Sequence, residues 1–146
     1  MGAVVKEPRS ARWWHFEHDA DMGVAGEGCS LAEAFEQAAY ALMAVVTDAP
    51  IEQSRRVDIH CSAPNAELLF VDWLNALVFE MSTHRLLFAA FKVDTDGRRL
   101  DAQAWGEPVD VARHQPAVEV KGATYTALSV SEVENGRWRA QCIVDV

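Results

Sequence analysis

Residues 65–84 constrain the fold most strongly, because they predict a helix that is apolar around most of its circumference. A helix of this kind has to be covered on several sides by other elements. Asp72 and Asn75 lie three residues apart and share the narrow polar strip that remains, so Asp72 needs partners if the helix buries it. The apolar positions of this helix are Leu68, Leu69, Phe70, Val71, Trp73, Leu74, Leu77, Val78 and Met81.

A second helix is predicted after residue 30. Ser30 and Glu33 form a capping box, in which each side chain satisfies a free backbone N–H group of the other residue. Residues 47–50 (Thr-Asp-Ala-Pro) end the helix. Between these limits one apolar stripe recurs at helical spacing, through Leu31, Phe35, Ala38, Leu42 and Val45.

The remaining chain reads as β-strand. Apolar and polar residues alternate at 56–62, and the turns Asp96-Gly97 and Asn135-Gly136 predict hairpins. Two helices with several antiparallel strands predict an α+β fold, a two-layer domain in which two main helices pack on a largely antiparallel sheet. The expected strands cover residues 12–18, 22–25, 56–62, 86–94, 99–105 and 137–145, and residues 118–133 are expected to be extended with breaks whose positions stay open. A break is expected at 26–28 and a loop at 106–115.

The length of 146 residues suits one domain, and we expect a flexible N-terminal arm at 1–11 and a single domain at 12–146.

The net charge of −9, without a Lys/Arg cluster in the sequence, argues against a dedicated nucleic-acid binder and suits a basic protein partner or a metal ion. Three dispersed cysteines indicate a reducing compartment, and no apolar run is long enough to span a membrane. We therefore expect a cytoplasmic protein without a membrane partner.

The two ends of the chain carry the candidate chemistry. On an extended backbone Asp19 and Asp21 would point to one side together with Glu17, and Asp145 and the α-carboxylate of Val146 join them if the last strand pairs beside the first. Like charges about 4 Å apart repel by roughly 4 kcal/mol, so such a cluster favours a cation. Oxygen ligands favour Ca²⁺, Mg²⁺ or Mn²⁺ over Zn²⁺. The alternative is a set of solvated acidic residues at strand ends.

Other catalytic groups find little support. His18 is a candidate ligand, but a lone histidine on a strand is also an ordinary structural residue, and His114 has no obvious partner in its loop. The sequence holds no Gly-x-Ser-x-Gly elbow and no glycine-rich phosphate loop. The sequence therefore offers little support for a stand-alone enzyme.

Six stretches, in order, resemble the archease family over nearly the whole chain after the arm. Each stretch is weak by itself, whereas the six together at compatible spacing are specific. They are HDADMGV at 18–24, SLAEAF at 30–35, VDWLN at 71–75, AWGEP at 104–108, EVKGATY at 119–125 and VDV at 144–146.

The resemblance implies a protein cofactor of an RtcB-type RNA ligase. Such ligases join RNA ends through a guanylylated histidine with GTP and Mn²⁺, and archeases promote that guanylylation and multiple turnover in tRNA splicing and RNA repair. RNA would then be reached only indirectly, through the ligase. The resemblance also implies that Asp21, Asp145 and the main-chain carboxylate of Val146 bind a divalent cation. Ca²⁺ is the ion expected first in a crystal, and Mg²⁺ and Mn²⁺ are the alternatives. Further contacts to the metal or the partner are expected from His18, Asp19, Asp72 and Lys121.

Two residues depart from the family pattern. Asp19 stands where the family usually has Thr, which adds a carboxylate, and Thr126 stands where the family often has His.

Several alternative functions stay open: a chaperone or modulator of a tRNA-methylating enzyme, a stand-alone metal-dependent hydrolase that activates water with Asp19 and Asp21, an RNA-binding adaptor, and a purely structural acidic domain.

Overall fold

The computed structural model describes residues 11–146, so the predicted arm lies almost wholly outside the described residues. Antiparallel strands and helices confirm the predicted α+β class. In chain order the elements are β1 (Arg12–His18), β2 (Asp21–Gly28), α1 (Leu31–Val46), β3 (Arg55–Ser62), α2 (Ala66–Thr83), β4 (Leu86–Thr95), β5 (Arg99–Pro108), α3 (Val111–His114), β6 (Gly122–Ala123), β7 (Ser129–Glu134) and β8 (Arg137–Asp145).

The strands divide into two sheets. The first has the order β1-β2-β8-β6, with β7 also paired to β8, and the second has the order β3-β5-β4. Helix α1 contacts β1, β2 and β8 of the first sheet and β4 of the second, and α2 contacts strands of both. This arrangement follows from the apolar circumference of α2, because a helix that is apolar on several sides is stable only when each side is covered.

Helix α1 begins after Ser30 as predicted, but the capping box forms differently, because Glu33 caps the backbone N–H of Cys29 and not that of Ser30. The Ser30 hydroxyl accepts a hydrogen bond from the Glu33 backbone N–H (3.1 Å), and the Glu33 carboxylate accepts one from the Cys29 N–H (2.8 Å). The predicted break at residues 26–28 is wrong, since β2 continues to Gly28. A Cβ atom on Gly26 would lie 2.2 Å from the backbone nitrogen of Ala38, so the glycine is there to let α1 lie directly against the sheet.

Helix α2 passes through the core. Its Trp73 is fully buried and donates its indole N–H to the backbone carbonyl of Phe35 on α1 (3.0 Å). Asp72 points to the exposed side, so the question of partners for a buried aspartate does not arise. No helix within residues 11–146 is both long and apolar enough to cross a membrane.

The segment 106–115 is more regular than the predicted loop. β5 runs on to Pro108, which pairs with Leu86, and a short helix α3 follows. Gly106 permits this extension, because a Cβ there would lie 1.8 Å from the backbone oxygen of Leu87 on β4. The glycine therefore serves close strand pairing and not a turn.

Candidate metal centre

The sheet register places Asp21 beside the end of the chain. β2 runs antiparallel to β8, and Met22 pairs with Val144, so Asp21 and Asp145 are the next residues on the two neighbouring strands. On its other side Asp145 pairs with Gly122 of β6. The last strand thus lies beside β2 rather than β1, and β2 is the strand that begins with Asp21.

A tight hairpin changes the expected arrangement of the N-terminal acidic residues. His18 pairs with Asp21, and Asp19 and Ala20 form the two-residue turn, in which Asp19 adopts a left-handed φ of 53°. The expectation that Asp19 and Asp21 point to one side of an extended strand with Glu17 is therefore wrong. Directly paired residues share a face of the sheet, so His18 lies on the face of Asp21, whereas Glu17 pairs with Met22 on the opposite face. The Asp19 carboxylate is 93% exposed and lies 3.9 Å from Nδ1 of His18.

Lys121 and Asp72 differ in their relation to this end of the sheet. The backbone N–H of Lys121 donates to the Asp145 carbonyl (2.7 Å), which places Lys121 directly beside the chain end. Asn75 of α2 accepts a hydrogen bond from the Ala123 N–H (2.8 Å) and ties the helix to β6. Asp72 lies one turn earlier on α2. Burial of the Cys61 thiol on β3 is the main cause that raises its pKa, and the negative charge of Asp72 raises it further. Of these two residues, the structure therefore brings only Lys121 into contact with Asp145.

The donors predicted for this site are all oxygen atoms. Asp21 and Asp145 are exposed, Val146 is 40% exposed, and none of the ion pairs among residues 11–146 involves either aspartate. In the same part of the chain no three His, Cys, Asp or Glu side chains form a group that could hold a metal ion. Two side-chain carboxylates and a terminal carboxylate, completed by water, fit a hard cation that tolerates water ligands and do not fit a closed zinc site.

A buried carboxylate lies toward the far end of the same strands and was not singled out from the sequence. Glu27 of β2 is fully buried and accepts hydrogen bonds from Nε of Arg137 (2.5 Å) and Nε of Arg139 (2.9 Å), while Arg12 lies 3.5 Å away. Burial by itself raises the pKa of Glu27, but these three guanidinium groups outweigh it and lower the pKa to about 2. The arginines connect β1 and β8 through Glu27 and so stabilise the register that aligns Asp21 with Asp145.

A second buried cluster corrects the view of His114 as a loop residue without a partner. His114 is 1% exposed, its Nε2 lies 3.0 Å from the Glu107 carboxylate, and its Nδ1 accepts a hydrogen bond from the Asp110 N–H. Arg113 and the Glu52 backbone N–H also bind Glu107 and lower its pKa to about 2. The cluster fastens α3 to β5 and is structural.

Comparison with known proteins agrees with this architecture. Residues 13–146 match the model of the Archease protein family. The chain is 35% identical to "Protein archease" of Pyrococcus abyssi over 92% of this chain and 99% of that protein, and 38% identical to "Protein archease" of Aeropyrum pernix over 92% and 96%. The solution structure of protein 1598 of Methanobacterium thermoautotrophicum superimposes with a TM-score of 0.72 at 33% identity, covering 94% of this chain and 99% of that one. This chain therefore belongs to the archease family.

Proposed function

We propose that this chain is the protein cofactor of an RtcB-type RNA ligase and acts in the cytoplasm in tRNA splicing or RNA repair. In this role it promotes guanylylation of the ligase and sustains multiple turnover, and it contacts RNA only through the ligase. Membership of the archease family supports the class of function. The observation that supports the site is the β2–β8 register, which makes Asp21 and Asp145 the next residues on two neighbouring strands.

The proposed site holds one divalent cation through the side chains of Asp21 and Asp145 and the carboxylate of Val146. When bound, the ion supplies positive charge that offsets the negative charge on nucleotide phosphates during nucleotidyl transfer. The contribution of the chain is to present these oxygen atoms at a fixed position. Their strands are held in register by the Glu27 cluster and by the pairing of β8 with β6.

Charge supports docking of this end onto a basic partner. The chain carries a net charge of −9, and a ligase surface that binds RNA phosphates is necessarily basic, so attraction favours their encounter. His18, Asp19 and Lys121 flank the two carboxylates and are the side chains expected to meet the partner first.

The test is the rate of ligase guanylylation with labelled GTP in the presence of Asp21→Asn or Asp145→Asn. Both changes keep the size of the side chain and remove one charge. We expect the stimulation by each variant to fall by about tenfold or more, the loss typical of a disturbed metal site. Glu17→Gln is the matched control, because Glu17 lies on the same hairpin but on the opposite face, and it should stimulate like the wild type. Wild-type stimulation by both aspartate variants would refute the proposed site.

A further inference from the structure

The loop at residues 124–128, here called the Tyr125 loop, protrudes from the sheet beside the candidate metal centre. β6 and β7 both pair with β8, at Ala123↔Val144 and Ser129↔Gln141. Between these pairs the five residues of the loop stand opposite only Cys142 and Ile143. The surplus residues cannot fit the ladder and therefore leave the plane of the sheet.

Hydrogen bonds fix the loop to the strand that carries Asp145. The Thr124 N–H and hydroxyl both donate to the Ile143 carbonyl (3.0 and 2.9 Å), and the Ile143 N–H donates to the Thr126 carbonyl (3.0 Å). The Gln141 amide donates to the Ala127 carbonyl (3.2 Å). Ile143 lies only two residues before Asp145, so the loop has a defined position relative to the carboxylates.

The backbone of the loop is strained. Ala127 adopts a φ of 54°, in the left-handed region that a residue with a Cβ atom rarely enters. Such conformations persist only where the surroundings enforce them, and they are concentrated at binding and catalytic sites. Here the left-handed residue lies two positions after Tyr125, in the same loop.

That side chain is the most exposed large hydrophobic one within residues 11–146. Tyr125 is 69% exposed, compared with 54% for Phe79, the next aromatic residue. Tyrosine is enriched among the few residues that carry most of the binding energy at protein interfaces, where its ring fills a pocket of the partner. Because hydrogen bonds already fix the backbone of the loop, less of it has to be ordered when the ring binds.

We propose that Tyr125 is the apolar anchor by which this chain docks on the ligase, and that its ring enters an apolar pocket beside the basic cleft that meets Asp21 and Asp145. This inference rests on the proposed function. A protein pocket is favoured over a nucleobase as the occupant, because stacking on nucleic acid requires a positively charged groove and this chain has a net charge of −9.

The proposal separates affinity from activation, and a titration of the guanylylation rate against the concentration of this chain measures both. Tyr125→Ala should raise the half-saturating concentration by about tenfold or more and leave the rate at saturation unchanged. Tyr125→Phe keeps the ring and should stay within about threefold of the wild type. Phe79→Ala is the matched control, since it removes an exposed ring from α2, and its half-saturating concentration should equal that of the wild type.

A half-saturating concentration for Tyr125→Ala that equals that of Phe79→Ala would overturn the proposal, as would a loss in Tyr125→Phe as large as that in Tyr125→Ala. Failure of the proposed function gives a different result, because then the wild-type chain itself does not stimulate the ligase. Tyr125 lies in a solvent-exposed loop, and an unchanged melting temperature of the alanine variant shows that any loss of affinity reflects docking and not unfolding.

Discussion

Replacement of Glu27 by Gln tests the role of the buried carboxylate that joins β1, β2 and β8. The fall of its pKa from 4.5 to about 2 corresponds to at most about 3 kcal/mol of folding free energy at neutral pH. The side chains of Arg12 and Arg139 are 57% and 38% exposed, so screening by water reduces this to about 2 kcal/mol. Glu27→Gln should therefore lower the free energy of unfolding by about 2 kcal/mol, because it removes the buried carboxylate charge to which Arg137 and Arg139 donate hydrogen bonds.

The pH dependence makes this prediction specific. Because the pKa of Glu27 is lower in the folded than in the unfolded state, its stabilisation is fully present above pH 4.5 and is lost as the pH falls toward about 2. Urea unfolding of wild type and Glu27→Gln at a series of pH values should show the largest difference near neutral pH and a narrowing difference below pH 4.5. Arg12→Gln is the control and should cost less than about 1 kcal/mol. Equal stability of Glu27→Gln and wild type at neutral pH, or a difference that persists at low pH, would refute the reasoning.

Two further predictions concern packing. Gly26→Ala places a methyl group 2.2 Å from the backbone nitrogen of Ala38, so α1 must move away from the sheet. The free energy of unfolding, measured by urea titration, should therefore fall by about 2 kcal/mol or more. An unchanged unfolding transition would contradict the close approach of helix and strand. The Cys142 thiol is buried and its pKa is raised to about 12, whereas the Cys29 thiol is exposed. Mass spectrometry after treatment with iodoacetamide should therefore find Cys29 modified in the native protein and Cys142 modified only after unfolding. Equal modification of both cysteines in the native protein would contradict the burial of β8.

Local patterns predicted most of the individual elements, but the extended segment expected at 118–133 is wrong, because only β6 and β7 within it are strands and residues 124–128 form a loop between them. The capping box at Ser30 and the apolar circumference of α2 gave the two main helices, and the hairpin turn at Asn135-Gly136 forms where the sequence placed it. The glycines at 26 and 106 were misread as breaks, because a glycine required by a close neighbour looks the same in sequence as one required by a turn. Only the distance to Ala38 and to Leu87 in the folded chain distinguishes the two.

Interactions between distant residues could not be predicted. Glu27 lies 110 positions from Arg137, and no periodicity in the sequence pairs them. The position of Asp19 was predicted wrongly for a local reason, since the two-residue turn that it forms with Ala20 lacks the Asn-Gly or Asp-Gly signal typical of hairpins. The resemblance named Asp21 and Asp145 together, and the β2–β8 register does place them on neighbouring strands, whereas their binding of a cation stays a prediction.

The most direct test of the central claim, that the two chain ends share one cation, is a double-mutant cycle on metal affinity. Calorimetric titration of Mn²⁺ and Ca²⁺ into wild type, Asp21→Asn, Asp145→Asn and the double variant gives the coupling between the two carboxylates. If both bind one ion, each single change should lower the affinity strongly and the double change should lose much less than the two single losses added together. Affinities that are unchanged in the single variants, or losses that are simply additive in the double variant, would contradict a shared site.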